Sequence, residues 1–138
     1  MMDQPLGAFG AMDVAALGRE FFAALDARDP RRLRAVLADH ATFRAQPHGA
    51  VVRPADEIVA YFGTVVGSYP TARWEVTDVI ADGDRAAVQF IVREYAPGLS
   101  RELLSEQVAI VRAADAKIVN VVGYYDTAEF RHQFWETE

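Results

Sequence analysis

The residues best suited to chemistry lie near the end of the chain, where Tyr124-Tyr125-Asp126 joins two different patterns. Residues 117–125 are rich in β-branched and aromatic residues and predict a strand, whereas the residues after Asp126 predict a short amphipathic helix. A carboxylate at such a junction can act as a general acid or base if desolvation raises its pKa. It can also simply cap the helix, because Asp126 and Glu129 have the spacing of a capping box. The two roles are compatible, and the sequence leaves both open.

The hairpin before this junction predicts which side chains accompany Asp126. A two-residue turn at Asp115-Ala116 pairs Ala114 with Lys117 and thereby fixes the register of both strands. Because side chains alternate along a strand, every second residue shares one face. In this register Gln107 is opposite Tyr124, Ser105 is opposite Asp126 and Val111 is opposite Asn120, and the shared face also includes Val122.

Other side chains could assist a carboxylate on that face. Tyr124 and Tyr61 could donate hydrogen bonds to a carbonyl or enolate oxygen, although both also suit a plain aromatic core. His48 lies in a loop with Pro47 and Gly49, where it could shuttle protons or form polar surface. Four further aromatic residues could line a substrate pocket or belong to the core: Phe43, Phe62, Trp74 and Phe90.

Composition excludes several classes of function. A net charge of −6 argues against nucleic acid, and Lys117 as the only lysine argues against a polybasic membrane surface. The chain contains no cysteine and no apolar run approaching the roughly 20 residues of a membrane span, so a cytoplasmic protein is expected. The three histidines lack the spacing of metal ligands, and no phosphate-binding glycine loop is present. Neither a metal nor a cofactor is therefore predicted.

The elements that would position these residues follow from the hydrophobic periodicity. Asp13 and Asp29 are predicted helix caps, and Pro54 is predicted to open a third helix. Asp82-Gly83-Asp84 predicts a hairpin between two long alternating stretches. Residues 1–12 are expected to be a flexible leader before a single α+β domain over 13–138. The expected helices are 14–28, 30–38 and one from residue 54 to Gly67, and the expected strands are 41–45, 72–81, 85–95, 101–113 and 117–125.

Four motifs in this order resemble the nuclear transport factor 2-like cone fold, and more particularly its SnoaL-like polyketide cyclase branch. The resemblance covers about residues 13–134 and implies a cone-shaped, curved antiparallel sheet packed against N-terminal helices. It also implies a homodimer. The motifs are Ala-Leu-Asp-Ala-Arg-Asp at 24–29, Ser68-Tyr69-Pro70, Ala-Asp-Gly-Asp-Arg at 81–85, and Lys117-Ile118-Val119 continued by Tyr124-Tyr125-Asp126 and Gln133.

The resemblance implies that Asp126 is the catalytic acid of a cofactor-independent cyclase or isomerase acting on a small hydrophobic carbonyl compound. A ligand-binding domain without catalysis remains the alternative, because this fold hosts many functions. The epoxide-hydrolase branch would need an arginine and acids inside the cone, and only one of the neighbours Arg93 and Glu94 can point inward. The chain departs from the family pattern at Ala116, where glycine is usual, and at Trp135, which could cover the pocket.

Overall fold

The computed structural model describes residues 13–96 and 101–134. The leader expected over residues 1–12, the turn expected at 96–98 and the role expected for Trp135 therefore lie wholly or partly outside the described residues. The elements are α1 (Val14–Ala27), α2 (Pro30–Val36), β1 (Leu37–Arg44), α3 (Ala55–Ser68), β2 (Arg73–Asp82), β3 (Arg85–Ala96), β4 (Arg101–Ala114), β5 (Lys117–Tyr125) and α4 (Thr127–Phe134).

The predicted caps start the first two helices. The Asp13 carboxylate accepts a hydrogen bond from the Ala16 N–H at 2.8 Å, and Asp29 caps α2 in the same way. Helix α2 is shorter than predicted, because Leu37 leaves it in an extended conformation and pairs with Ile118. Strand β1 consequently begins at residue 37 and not at 41. Burial of Leu37, which is 2% exposed, outweighs its good helix propensity.

The five strands form one curved, unclosed sheet in the order β1-β5-β4-β3-β2. Strands β2 to β5 are antiparallel as expected, whereas β1 adds to β5 in parallel, so the sheet is mixed. Helix α1 packs on β2 to β5 and α3 packs on β1, which makes one face of the sheet the inner face. The largest fully buried side chains lie between these layers: Phe21, Leu37, Ile58, Val88, Val111, Ile118 and Val121.

A β-bulge in β5 changes the register that the hairpin sets. Ala114 pairs with Lys117 as predicted, and Asp115 and Ala116 form the turn with φ of 52° and 61°. Arg112, however, pairs with Asn120, so Val119 is an extra residue in β5. The predicted register is wrong from this point on. Gln107 pairs with Tyr125 and not with Tyr124, and Val111 pairs with Val121 and not with Asn120.

Candidate active site

A cavity of about 320 Å³ lies between the inner face of the sheet and the helices. This volume is at the lower limit of small-molecule sites. Aromatic rings in mutual contact form much of its wall: the ring centres of Phe22 and Phe90 are 4.2 Å apart and those of Phe43 and Phe62 are 4.8 Å apart. The cavity therefore suits a small apolar molecule, since aromatic side chains provide large apolar contact areas. Six residues define this aromatic wall: Phe21, Phe22, Phe43, Phe62, Trp74 and Phe90.

Three tyrosines are among the few polar residues in the lining. Tyr61, Tyr69 and Tyr125, here called the tyrosine cluster, all line the cavity. Burial raises the pKa of the Tyr61 hydroxyl, and its neighbours Tyr125 and Tyr69 raise it further. Burial, and then Tyr69, likewise raises the pKa of Tyr125. Both hydroxyls therefore keep their protons at neutral pH and are available as hydrogen-bond donors.

Gln107 brings an amide into the same lining. It pairs with Phe90 on one side and with Tyr125 on the other, so these three side chains form one row across the inner face. Its Nε2 donates to the Oγ of the buried Ser105 at 3.1 Å. That bond orients the amide and leaves its carbonyl oxygen and second N–H for a ligand.

Helix α4 forms part of the cavity wall. The Phe130 ring packs against Tyr125 at 5.4 Å and against Tyr69 at 6.5 Å, and it lines the cavity. The Leu104 N–H donates to the Gln133 Oε1 at 2.9 Å. This bond ties the helix to the part of β4 that extends beyond its pairing with β5. The tyrosine cluster is therefore enclosed by the last helix, which the sequence could not establish.

The bulge decides which residues of β5 face the cavity. Gly123 and Tyr125 line it, whereas Val122 and Tyr124 point to the opposite face of the sheet. Tyr124 is 42% exposed there. The prediction that Val122 and Tyr124 share a face with Gln107 is wrong, because the extra residue Val119 inverts the alternation.

Asp126 lies outside the cavity lining. Its Oδ1 accepts a hydrogen bond from the Glu129 N–H at 3.0 Å, and its backbone carbonyl accepts from Phe130, so it caps α4. The residue is exposed. This geometry confirms the capping role that the sequence left open, and the carboxylate is not part of the cavity lining.

Glu94 is the acid that the sequence reasoning did not select. It follows Phe90 and Val92 on the inner side of β3, whereas Arg93 points outward and bonds Glu75 and Glu102. The Oε1 of Glu94 is buried and has no hydrogen-bond partner. The alternation of the strand could have shown that Arg93 and Glu94 differ in orientation, but not which of them points inward.

The remaining predicted residues divide between the cavity and the surface. His48 lies in the exposed loop between β1 and α3 and does not line the cavity. Ser105 contacts Gln107 from behind the lining. Among the described residues, no group of three acids or histidines could hold a metal ion. The predicted pocket residues that do line the cavity are Phe43, Tyr61, Phe62, Trp74 and Gln107.

Polar contacts at the end of α1 hold the β2 side of the cavity. The Asp26 carboxylate accepts hydrogen bonds from the Arg73 guanidinium at 2.7 and 2.6 Å and from the Trp74 N–H at 3.0 Å. Arg28 donates to the carbonyl oxygens of Tyr69 and Ala72, and its guanidinium lies 5.7 Å from the centre of the Trp74 ring. The motif at 24–29 is therefore structural here, because it fixes lining residues.

Comparison with known families agrees with this architecture. The SnoaL-like domain matches residues 18–121, and the chain therefore belongs to the SnoaL-like family. No curated protein matches the chain in sequence. Among the helices of the described residues, none is long and apolar enough to cross a membrane.

Solved structures of the same fold are similar over nearly the whole chain. A candidate polyketide cyclase from Pseudomonas putida has 22% identity and a TM-score of 0.71, covering 88% of this chain and 98% of its own. IdmH from Streptomyces antibioticus, also a candidate polyketide cyclase, has 18% identity and a TM-score of 0.74, covering 86% and 95%. A protein with a ketosteroid isomerase-like fold from Catenulispora acidiphila has 15% identity and a TM-score of 0.75, covering 85% and 90%. At these identities the similarity establishes the fold.

Proposed function

We propose that this protein binds a small, largely apolar carbonyl compound in the cavity between its helices and sheet. The observation that carries the proposal is an aromatic wall combined with neutral hydrogen-bond donors, Gln107, Tyr61 and Tyr125, in one cavity of about 320 Å³. An apolar body would fill the aromatic wall. The carbonyl oxygen would accept hydrogen bonds from Gln107, Tyr61 or Tyr125.

A matched ligand pair tests this function. Indanone and indane share one bicyclic skeleton and differ in the carbonyl oxygen. We expect both to bind in NMR titrations of the full chain, and indanone to bind more tightly by roughly 3- to 10-fold, as for a neutral hydrogen bond. Phe90→Ala should weaken both ligands, whereas Gln107→Leu should remove only the preference for indanone. Failure of both ligands to bind would refute the proposal.

Cofactor-independent proton transfer, as in an aldol-type cyclase or an isomerase, is the second candidate function. Membership of the SnoaL-like family favours it, and so does the resemblance of two neighbours that are candidate polyketide cyclases. The resemblance assigns the acid to Asp126, whereas Tyr124 and His48 were suggested as assisting groups by their residue types, and neither lines the cavity. With a carbonyl substrate in hand, Asp126→Asn should abolish turnover if this assignment is correct. Full turnover in Asp126→Asn would show that Asp126 is not the catalytic acid.

A homodimer in the cytoplasm is part of the same proposal. The outer face of β4 and β5 carries two paired apolar sets, Val108 with Tyr124 and Ile110 with Val122, which are partly or largely exposed. A second copy of this chain could cover them. Sedimentation of the wild type and of Val108→Glu tests the association, because a charge at this position should yield a monomer. A monomeric wild type would contradict the proposal.

A further inference from the structure

One acidic side chain on the inner face has no partner for its buried oxygen. The Oε1 of Glu94 is shielded from water and makes no hydrogen bond, although the residue as a whole is only partly buried. No ion pair of the described residues includes Glu94, whose neighbour Arg93 is engaged on the opposite face. An unpaired buried acceptor is costly, so its presence calls for a functional explanation.

Glu94 is not itself a lining residue of the cavity, but the register of the sheet places it beside two residues that are. Val92, two residues earlier on the same side of β3, lines the cavity. Arg73 pairs with Arg93, which sets Ala72, another lining residue, beside Glu94 across the gap between β2 and β3. On the other side Glu94 pairs with the buried Leu103. The carboxylate is thus flanked by apolar neighbours next to the space that a ligand would fill.

We propose that Glu94 accepts a hydrogen bond from a hydroxyl or amino group of the ligand in this cavity. The ligand class is then an apolar molecule with a hydrogen-bond donor at one end. This inference rests on the proposed binding function and adds to it the residue that selects the polar end. A carboxylate oxygen that has no hydrogen-bond partner among the described residues fits this role, because a carboxylate accepts hydrogen bonds from both neutral and charged donors.

Derivatives of one skeleton provide the test. Indanol carries a neutral donor, aminoindane carries a cationic donor, and methoxyindane retains the oxygen but lacks a donor. In the wild type we expect at least one of the two donor ligands to bind roughly 10- to 100-fold more tightly than methoxyindane, as for a hydrogen bond to a charged group. Stronger binding of aminoindane would identify an ammonium ligand, and stronger binding of indanol would identify a hydroxyl ligand.

Three variants assign the preference to Glu94. Glu94→Met keeps the length of the side chain without an acceptor, so the donor preference should disappear while indane binding is retained. Glu94→Gln can donate as well as accept, so it should bind methoxyindane more tightly than the wild type does. Glu106→Gln, on the exposed side of the neighbouring strand, should behave as the wild type.

Thermal unfolding separates ligand recognition from a purely structural role. Removal of an unsatisfied buried acceptor should leave the unfolding midpoint of Glu94→Met unchanged or raise it, whereas a structural carboxylate would lower it. A donor preference that is absent from the wild type, or that persists in Glu94→Met, would overturn the inference while indane and indanone still bind. If no indane derivative binds, the proposed function fails and this inference fails with it.

Discussion

Strands β3 and β5 flank β4, and each carries a carboxylate near its end, but the two environments are opposite. Asp126, after β5, is exposed and its oxygen is hydrogen-bonded to the Glu129 N–H. Glu94, in β3, has one oxygen that is buried and unpaired. The acid with the strong sequence signal thus caps a helix, and the acid without one lies on the inner side of β3. The comparison teaches that the position of a carboxylate in a motif does not determine its burial or its hydrogen-bond partners.

The largest effect is expected where Gly123 of β5 meets the backbone of Ala45, just after the end of β1. A Cβ added to Gly123 would overlap the backbone carbonyl oxygen of Ala45, which cannot move as a side chain could. Gly123→Ala should therefore lower the free energy of unfolding by about 3 kcal/mol, as overpacking against backbone does. Denaturant unfolding measures this value.

A glycine without close neighbours serves as the control for Gly123→Ala. An added Cβ at Gly63 in α3 meets nothing within 4 Å. Gly63→Ala should stabilise the protein by up to about 1 kcal/mol, because alanine has the better helix propensity. If Gly123→Ala did not destabilise the protein either, the backbone at the end of β5 would be able to shift. The contact between Gly123 and Ala45 would then not constrain the position of this strand.

The β2 side of the cavity should be the next most sensitive region. Asp26→Ala removes the bonds to Arg73 and to the Trp74 N–H beside the end of β3. We expect a loss of about 2 kcal/mol, since one partner is a backbone group and the other an exposed arginine. Glu20→Ala, which removes a similar ion pair with Arg32 but no backbone bond, should cost less.

The same variant should change the response to acid. The hydrogen bond from Arg73 lowers the pKa of Asp26 against the opposing effect of burial, and the Trp74 N–H adds to the lowering. The stabilisation is present above the ordinary aspartate pKa of about 3.9, and it is lost as the pH falls through the lowered value. Asp26→Ala should therefore lose less stability than the wild type in this range. Parallel acid titrations of both proteins, followed by circular dichroism, measure the difference.

A smaller effect is expected at Asp126 itself. Asp126→Ala removes the cap of α4 and should cost about 1 kcal/mol, whereas Asp126→Asn should cost almost nothing because asparagine also caps helices. Indanone affinity should remain within a factor of about two in Asp126→Asn, since the side chain does not line the cavity. A large loss of affinity in Asp126→Asn would show that Asp126 contributes to ligand binding and does not only cap α4.

The smallest effect is expected far from both carboxylates, at the turn between β4 and β5. Ala116 has a φ of 61°, which glycine adopts without strain. Ala116→Gly should stabilise the protein by about 0.5–1 kcal/mol and leave ligand affinity unchanged. Ala113→Gly, in the paired part of β4, should instead destabilise it. Altered affinity in Ala116→Gly would show that the cavity depends on the hairpin.

Local signals predicted most of the elements. Asp13, Asp29 and the Asp82-Gly83 turn have short-range partners, so their roles follow from neighbouring residues. The parallel pairing of β1 with β5 was not predicted, because it joins segments about 80 residues apart and has no local signature. The end of α2 was misplaced for the same reason, since the pairing of Leu37 with Ile118 overrides its helical spacing.

The site was less predictable than the fold because it depends on one extra residue. Val119 is a β-branched residue in a β-branched stretch, and nothing in its type indicates a bulge. Aromatic lining residues such as Phe43 and Trp74 were predicted because their size and pattern place them inside. Tyr69, Tyr125 and Glu94 were missed because their orientation depends on long-range register and on the placement of α4.

The bulge at Val119 determines which residues of β5 face the cavity and which face outward. Regular pairing of Val119, without the bulge, would return the strand to the phase of its hairpin. The phenol at 124 and the valine at 122 would then exchange places with Tyr125 and Gly123, and the interior surface would become the exterior one. A change of pairing at one residue could thus give this scaffold a different binding chemistry without any change of sequence, whereas deletion of Val119 would keep the observed partners, because Asn120 would still pair with Arg112.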